Sequence, residues 1–143
     1  IFTSSNFDNE NEIIKNEILE FEKTNKNAFF YSSLGHLNYI SLMKISALVV
    51  GNSSSGVIET PSLGIPAINI GSRQEGRIIS KNIIESKYEK NYIIQSIKKA
   101  FSIDKKKLNK SRSLFYKKNT PKNIALKIMR HKYILKKEFK DLI

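Results

Sequence analysis

A chain of 143 residues, 40% apolar and 27% charged, has the size and composition of one ordinary globular domain. Without Cys it offers no disulfide, thiolate metal site or thiol nucleophile, and two His, His36 and His131, are too few and too separated for a His-rich metal site. The net charge of +12 invites a nucleic-acid reading, but residues 1–80 carry 6 basic against 8 acidic side chains and residues 81–143 carry 19 against 5. Of the 25 basic residues 21 are Lys, and neither an aromatic RNA-binding motif nor an Arg-rich reader is present. Solvated Lys faces are therefore favoured over a working basic surface, and no nucleic-acid partner is expected. No apolar run approaches the roughly 18–20 residues of a membrane span, so no membrane partner is expected. The chain opens on Ile1 rather than Met, which suggests a piece of a longer chain.

In chain order, residues 1–4 are apolar and β-branched and read as a strand entering a loop. Residues 9–25 place Ile13, Ile14, Ile18, Leu19 and Phe21 at helical spacing, with Glu10, Glu12 and Glu17 toward the helix N-terminus. Residues 28–31 form a short aromatic strand, and residues 38–45 a short helix carrying Tyr39, Leu42 and Met43. His36 falls in the loop before it. The apolar run within residues 46–51 predicts a strand buried on both faces. A small-residue turn over 52–56 leads into a short helix over 57–63, which Pro61 should kink. Residues 66–70 predict a second buried strand, residues 71–77 a polar loop and Ile83–Ile84 an edge strand. Residues 91–101 are amphipathic, with Ile93, Ile94, Ile97 and Phe101 on one face. A Lys-rich connector follows, and Thr120-Pro121 opens a last helix reaching about Phe139, with Thr120 as the cap. Its apolar residues, from Ile124 and Leu126 to Tyr133, Ile134, Leu135 and Phe139, exceed one narrow stripe, so part of it should pack outside this domain.

Strands alternating with helices through short loops predict an α/β fold, a Rossmann-like parallel sheet with helices on both faces. Ligands of such sheets sit beyond the carboxyl ends of the strands, so the loops after Val50 and Ile70 matter most. The informative stretch is ALVVGNSSSGVIETPSLGIPAINIGSRQEGR, residues 47–77. Gly51 ends one strand, and Ser53, Ser54 and Ser55 then fill the turn into a helix. Small side chains allow close approach, and free N–H groups of a first helical turn with hydroxyl donors suit an anion. A Ser-capped helix without a ligand is the plain alternative. Neither a Walker loop nor G-x-G-x-x-G is present. Glu59 can accept from both hydroxyls of a ribose, or merely favour a positive helix end. In the loop after the second strand, Arg73 and Arg77 offer guanidinium forks for phosphate, or stand as solvated surface Arg.

The run GNSSSGVIETPSLGIPAINIGSRQEGR closely resembles the hydrolysing UDP-N-acetylglucosamine 2-epimerases of sialic-acid-type sugar biosynthesis. Weaker similarity extends from Ile1 to about Phe101. The family's Tyr-Gly-Asp-Gly run has no counterpart at Tyr116, where this chain reads Tyr-Lys-Lys-Asn-Thr-Pro. The resemblance implies the C-terminal half of a GT-B pair of Rossmann-like domains facing a cleft, with residues 120–143 as a crossover helix to a missing N-terminal domain. It implies that Ser53, Ser54 and Ser55 bind the diphosphate or adjoining ribose, that Glu59 holds the ribose hydroxyls and that Arg73 contacts the nucleotide. Asn6 would face the cleft after the first strand, and Tyr39 and the backbone near Leu34 would lie by the base. It further implies a UDP-sugar substrate, no cofactor, a homo-oligomeric cytoplasmic enzyme, and elimination of UDP to a 2-acetamidoglycal that then takes up water. The family's acid–base carboxylates and a His at the domain junction belong to the other domain, so this chain should bind nucleotide without turnover. The sugar (N-acetylglucosamine or a diacetamido relative) and the base (uracil or guanine) stay open. So do two rival readings: a GT-B glycosyltransferase donor domain and a stand-alone binding module.

Overall fold

Parallel strands need long crossovers, and the chain supplies them as helices between short apolar runs. The computed structural model describes residues 1–4, 11–108, 114–115 and 117–131. In order these form β1 (Phe2–Thr3), α1 (Asn11–Thr24), β2 (Phe30–Tyr31), α2 (Gly35–Ile45), β3 (Val49–Gly51), α3 (Ser54–Ile58), α4 (Thr60–Leu63), β4 (Ala67–Ile70), β5 (Ile83–Ser86), α5 (Lys90–Phe101), α6 (Lys105–Leu108) and α7 (Thr120–Arg130). Among the described residues all pairings are parallel. β1 pairs with β2, and β3, β4 and β5 form a second ladder in that order. The fold is the expected Rossmann-like α/β arrangement of parallel strands and helices.

The core lies on the three-stranded ladder. Val57 of α3 is fully buried against Ala67 of β4 and Ile83 of β5, with Val49 and Ile79 packed around them. Burying a side chain of this size contributes about 1.5–3 kcal/mol. β4, central and flanked on both edges, is buried through Asn69. β3 departs from the expectation of burial on both faces: Val50 is 46% exposed. Among the described residues β3 pairs with β4 alone, and Val50 lines a cleft. The smaller ladder is held by the Phe2 and Phe21 rings, edge-to-face at 5.9 Å, and by the Phe30 N–H, which donates to Glu22 Oε1 at 2.7 Å. Much of the predicted α1 stripe, including Ile13 and Ile14, stays exposed.

The expected kink is a one-residue interruption at Glu59, which keeps right-handed helical dihedrals and backbone bonds to Ser55 and Leu63. α3 ends at Ile58 and α4 begins at Thr60, with Pro61 in the first turn of α4 and Glu59 at the junction. Pro61 has no N–H to offer the Val57 carbonyl, and beside it Thr60 Oγ1 donates to the Gly56 carbonyl at 2.6 Å. Gly64 then stops α4 in left-handed geometry, at φ 67°. α7 differs in two ways from the sequence reading. Its cap is Asn119, in left-handed geometry at φ 60°, with Thr120 already helical. His131 is extended, so the helix stops at Arg130; Tyr133, Ile134, Leu135 and Phe139, like Tyr116, lie outside the described residues. Ile124, Ile128 and Met129 are all more than half exposed.

One buried side chain holds the helix break against the sheet. Asn82, immediately before β5, donates from Nδ2 to Thr60 Oγ1 at 2.9 Å and to the Ile65 carbonyl at 2.8 Å. Its own carbonyl accepts from the Ala67 N–H at 2.9 Å. Replacing Asn82 by Ala strands the Ile65 carbonyl, and a buried group so stranded costs about 1–3 kcal/mol. We expect urea denaturation of Asn82→Ala to show a loss of that size. Asn82→Asp should be no better, since a carboxylate cannot donate to either oxygen. A loss of under about 0.5 kcal/mol in both variants would contradict this role.

Candidate functional site

Because β3 and β4 are parallel, the loops after Gly51 and Ile70 leave the same edge of the ladder. Between these loops and α2 lies a cleft of about 930 Å³, in the size range of small-molecule sites. Of the residues singled out in the sequence, Ser53, Ser55, Glu59, Arg73 and Tyr39 all line it, as does Leu34. Ser54, the first residue of α3, is exposed and stands outside the lining, as does Arg77. Asn6 lies outside the described residues. His36 is not in a loop: it is the second residue of α2, and it lines the cleft.

The serine turn is internally bonded. Ser53 caps α3, its Oγ accepting from the Ser55 N–H at 3.4 Å and its carbonyl accepting from the Gly56 N–H at 3.1 Å. Two N–H groups that could have met an anion are therefore already engaged, and a five-residue helix supplies little dipole. The hydroxyls compensate. Tyr39 Oη lies 2.6 Å from Ser55 Oγ, which lies 3.1 Å from Ser53 Oγ. Three hydroxyls carry three hydrogens; the two contacts consume two, which leaves one to donate into the cleft. Tyr39, expected beside a base, is thus bonded through its hydroxyl to the serine turn.

Glu59 sits where α3 breaks, half-buried, and its Oε2 is shut from solvent with no hydrogen-bond partner. Donors and an acceptor therefore share one cleft: hydroxyls and the Arg73 guanidinium, which suit an anion, and a carboxylate oxygen, which suits a hydroxyl.

Two supporting residues were not foreseen. Gln74 is buried, and its Nε2 donates to the Asn52 carbonyl at 2.7 Å, tying the loop that carries Arg73 to the serine turn. Tyr88 lies over Gly71, and its hydroxyl accepts from the Ser72 N–H at 3.3 Å. Gly71 suits the position because its φ is +74°, in the left-handed region that favours glycine, and the exposed end of the Tyr88 ring fills the space where a Cβ would stand. The sequence signals were faint, a Gln between two Arg and a Tyr seventeen residues after a Gly. A smaller hollow of about 480 Å³ opens beyond Tyr88, lined by Glu75, Glu85 and Glu89 with Lys87, a charge set that repels an anion. Among the described residues no group of His, Asp and Glu side chains could hold a metal ion, and no helix is long and apolar enough to cross a membrane.

Comparison with known proteins places the chain in a family. Residues 1–129 match the model of the UDP-N-acetylglucosamine 2-epimerase family. The chain is 48% identical over 88 residues to the GDP/UDP-N,N'-diacetylbacillosamine 2-epimerase (hydrolyzing) of Campylobacter jejuni, covering 60% of this chain and 23% of that protein. It is 40% identical over 97 residues to polysialic acid biosynthesis protein P7 of Escherichia coli, covering 68% and 25%. It is 36% identical over 100 residues to the UDP-N-acetylglucosamine 2-epimerase of Neisseria meningitidis serogroup B, covering 70% and 26%. The matches thus take in about a quarter of each of these relatives. With nine-tenths of its length under the family model and this cleft at the shared edge of its parallel strands, the chain belongs to the UDP-N-acetylglucosamine 2-epimerase family.

Proposed function

We propose that this chain is the nucleotide-binding part of a hydrolysing 2-epimerase acting on a nucleoside-diphosphate 2-acetamido sugar. The observation that carries the reading is the meeting, in one cleft, of the Glu59 carboxylate with the hydroxyls of Ser53 and Ser55 and with Arg73. A nucleoside diphosphate is complementary to that set, with hydroxyls to donate to Glu59 and phosphate oxygens to accept from the rest. In the reaction the C2 proton is removed, the C1–O bond to the diphosphate breaks, and a C1=C2 glycal forms. Water then adds across that bond to give the epimer. The contribution of this chain is to hold the nucleotide and to stabilise charge on the departing diphosphate, through Arg73 and the one hydroxyl hydrogen left over in the Tyr39–Ser55–Ser53 chain. The acid–base groups belong to a facing domain outside this chain, which gives binding here without turnover. The same family reading implies a cytoplasmic, homo-oligomeric whole enzyme, with α7 crossing toward the facing domain.

Isothermal titration of the chain should show UDP binding in the high-micromolar to millimolar range, roughly −4 to −6 kcal/mol. GDP, run in parallel, reports the base preference. A folded chain that binds neither would contradict the reading.

Glu59→Ala should weaken UDP binding about tenfold to a hundredfold, the size of a lost hydrogen bond to a charged group, about 1.5–3 kcal/mol. Glu59→Gln should fall between, and neither should lower stability, because the lost oxygen had no protein partner. The affinity that 2′-deoxy-UDP loses on the unmodified chain should largely vanish in Glu59→Ala. Additive losses would mean that Glu59 does not meet that hydroxyl.

A further inference from the structure

We infer that Gln74 is a positioning residue: without touching a ligand, it fixes the spacing between Arg73 and the serine turn so that both act on one diphosphate. The inference rests on the nucleoside-diphosphate reading above. Among residues 71–78 Gln74 alone is buried, at 4% exposed, while Arg73 and Glu75 on either side are exposed. It stands outside the cleft lining, which Arg73, Ser53 and Ser55 share. A buried amide must find bonds to offset the water it has lost. Gln74 finds one, from Nε2 to the Asn52 carbonyl at 2.7 Å, across 22 residues of sequence. Its Oε1 is buried without a partner. Packing alone would be served better by Met or Leu, which strand no acceptor. What Gln offers here, and an apolar residue does not, is the donor aimed at Asn52.

That one bond controls two stretches of backbone. On its own side, Gln74 is the third residue of a turn from Ser72 to Glu75, closed by the Glu75 N–H donating to the Ser72 carbonyl at 2.8 Å. Arg73 is the second residue of the same turn, so fixing Gln74 fixes the backbone from which the guanidinium reaches. The Arg77 N–H donates to the Gln74 carbonyl at 3.2 Å and stiffens the loop beyond. On the other side, the Asn52 carbonyl shares a peptide plane with the Ser53 nitrogen. Ser53 caps α3, and its hydroxyl meets that of Ser55. Orienting the Asn52 carbonyl therefore orients the start of the hydroxyl chain. A diphosphate gains fully from both sets of donors only when their separation is fixed before it arrives, because a loose loop must be ordered on binding. A monophosphate, with one phosphoryl group, has less use for the second set.

The test titrates UDP and UMP, followed by amide chemical shifts, into the 143-residue chain and into its Gln74→Met and Gln74→Asn variants. Met keeps the bulk without the donor; Asn keeps the amide but is one methylene too short to reach Asn52. Thermal midpoints are measured without ligand. The unmodified chain should prefer UDP to UMP. Both variants should lose about fivefold to thirtyfold in UDP affinity, the range of one lost hydrogen bond, and less than about twofold in UMP affinity, so that the preference collapses. The midpoints should stay within about 5 °C of the unmodified chain, because Asn52 is an exposed residue and water can replace the lost donor. Parallel loss of UDP and UMP would make Gln74 a support of the cleft at large and overturn the inference. An undiminished preference for UDP in the variants would overturn it too, as would a midpoint lowered by more than about 5 °C in both. If the unmodified chain binds UDP and UMP equally, the two loops do not share a diphosphate, and the inference falls while the nucleotide reading stands. Binding of neither would remove the nucleotide reading itself, and this inference with it.

Discussion

In a parallel ladder every strand delivers its chain to the same edge, and the candidate site depends on that constraint. Gly51 and Asn69 are in register, so the turns that follow them emerge side by side. The backbone pairing alone brings the serine turn and the Arg73 loop within reach of one ligand, although some twenty residues separate them in sequence. The Gln74 bond to the Asn52 carbonyl then joins the two loops directly. Tyr88 lies over the start of the second loop, where Gly71 leaves it room. On the inner side, Asn82 anchors the helix break that sets Glu59 at the cleft.

The wall so built has a division of labour in its hydrogen-bonding groups. Hydroxyls and a guanidinium give hydrogens, and the Glu59 carboxylate accepts them. In the proposed reading the hydroxyls of a nucleotide donate to the Glu59 carboxylate. The same reading accounts for the weak dipole of the short α3: the anion is met chiefly by side-chain donors, with the helix end in a minor role.

Much of this was legible in the sequence, for physical reasons that can be named. Short β-branched runs between amphipathic segments gave the strand and helix order, and Pro61 announced the broken helix. The stretch from Ala47 to Arg77 pointed to the candidate site, because small residues after one buried strand and arginines after the next offer an anion room and donors. Residues whose role is set by tertiary contact were not legible. Nothing local marks Gln74, Tyr88 or Asn82 as loop and helix anchors. Val50 looked like core because an apolar run does not reveal which of its side chains lines a cleft. Ser54 carries the same chemistry as its neighbours but is turned out of the lining by the first turn of α3. The cap of α7 moved from Thr120 to Asn119 because an Asn tolerates left-handed geometry there.

The central claim is that the shared edge of β3 and β4 seats a nucleoside diphosphate. Amide chemical-shift mapping of the ¹⁵N-labelled chain titrated with UDP tests it most directly. The account predicts that the largest shifts fall on residues 51–56, on Glu59 and on residues 69–74, saturating together. Shifts concentrated in the Lys-rich half beyond residue 90, or in the hollow beyond Tyr88, would contradict it.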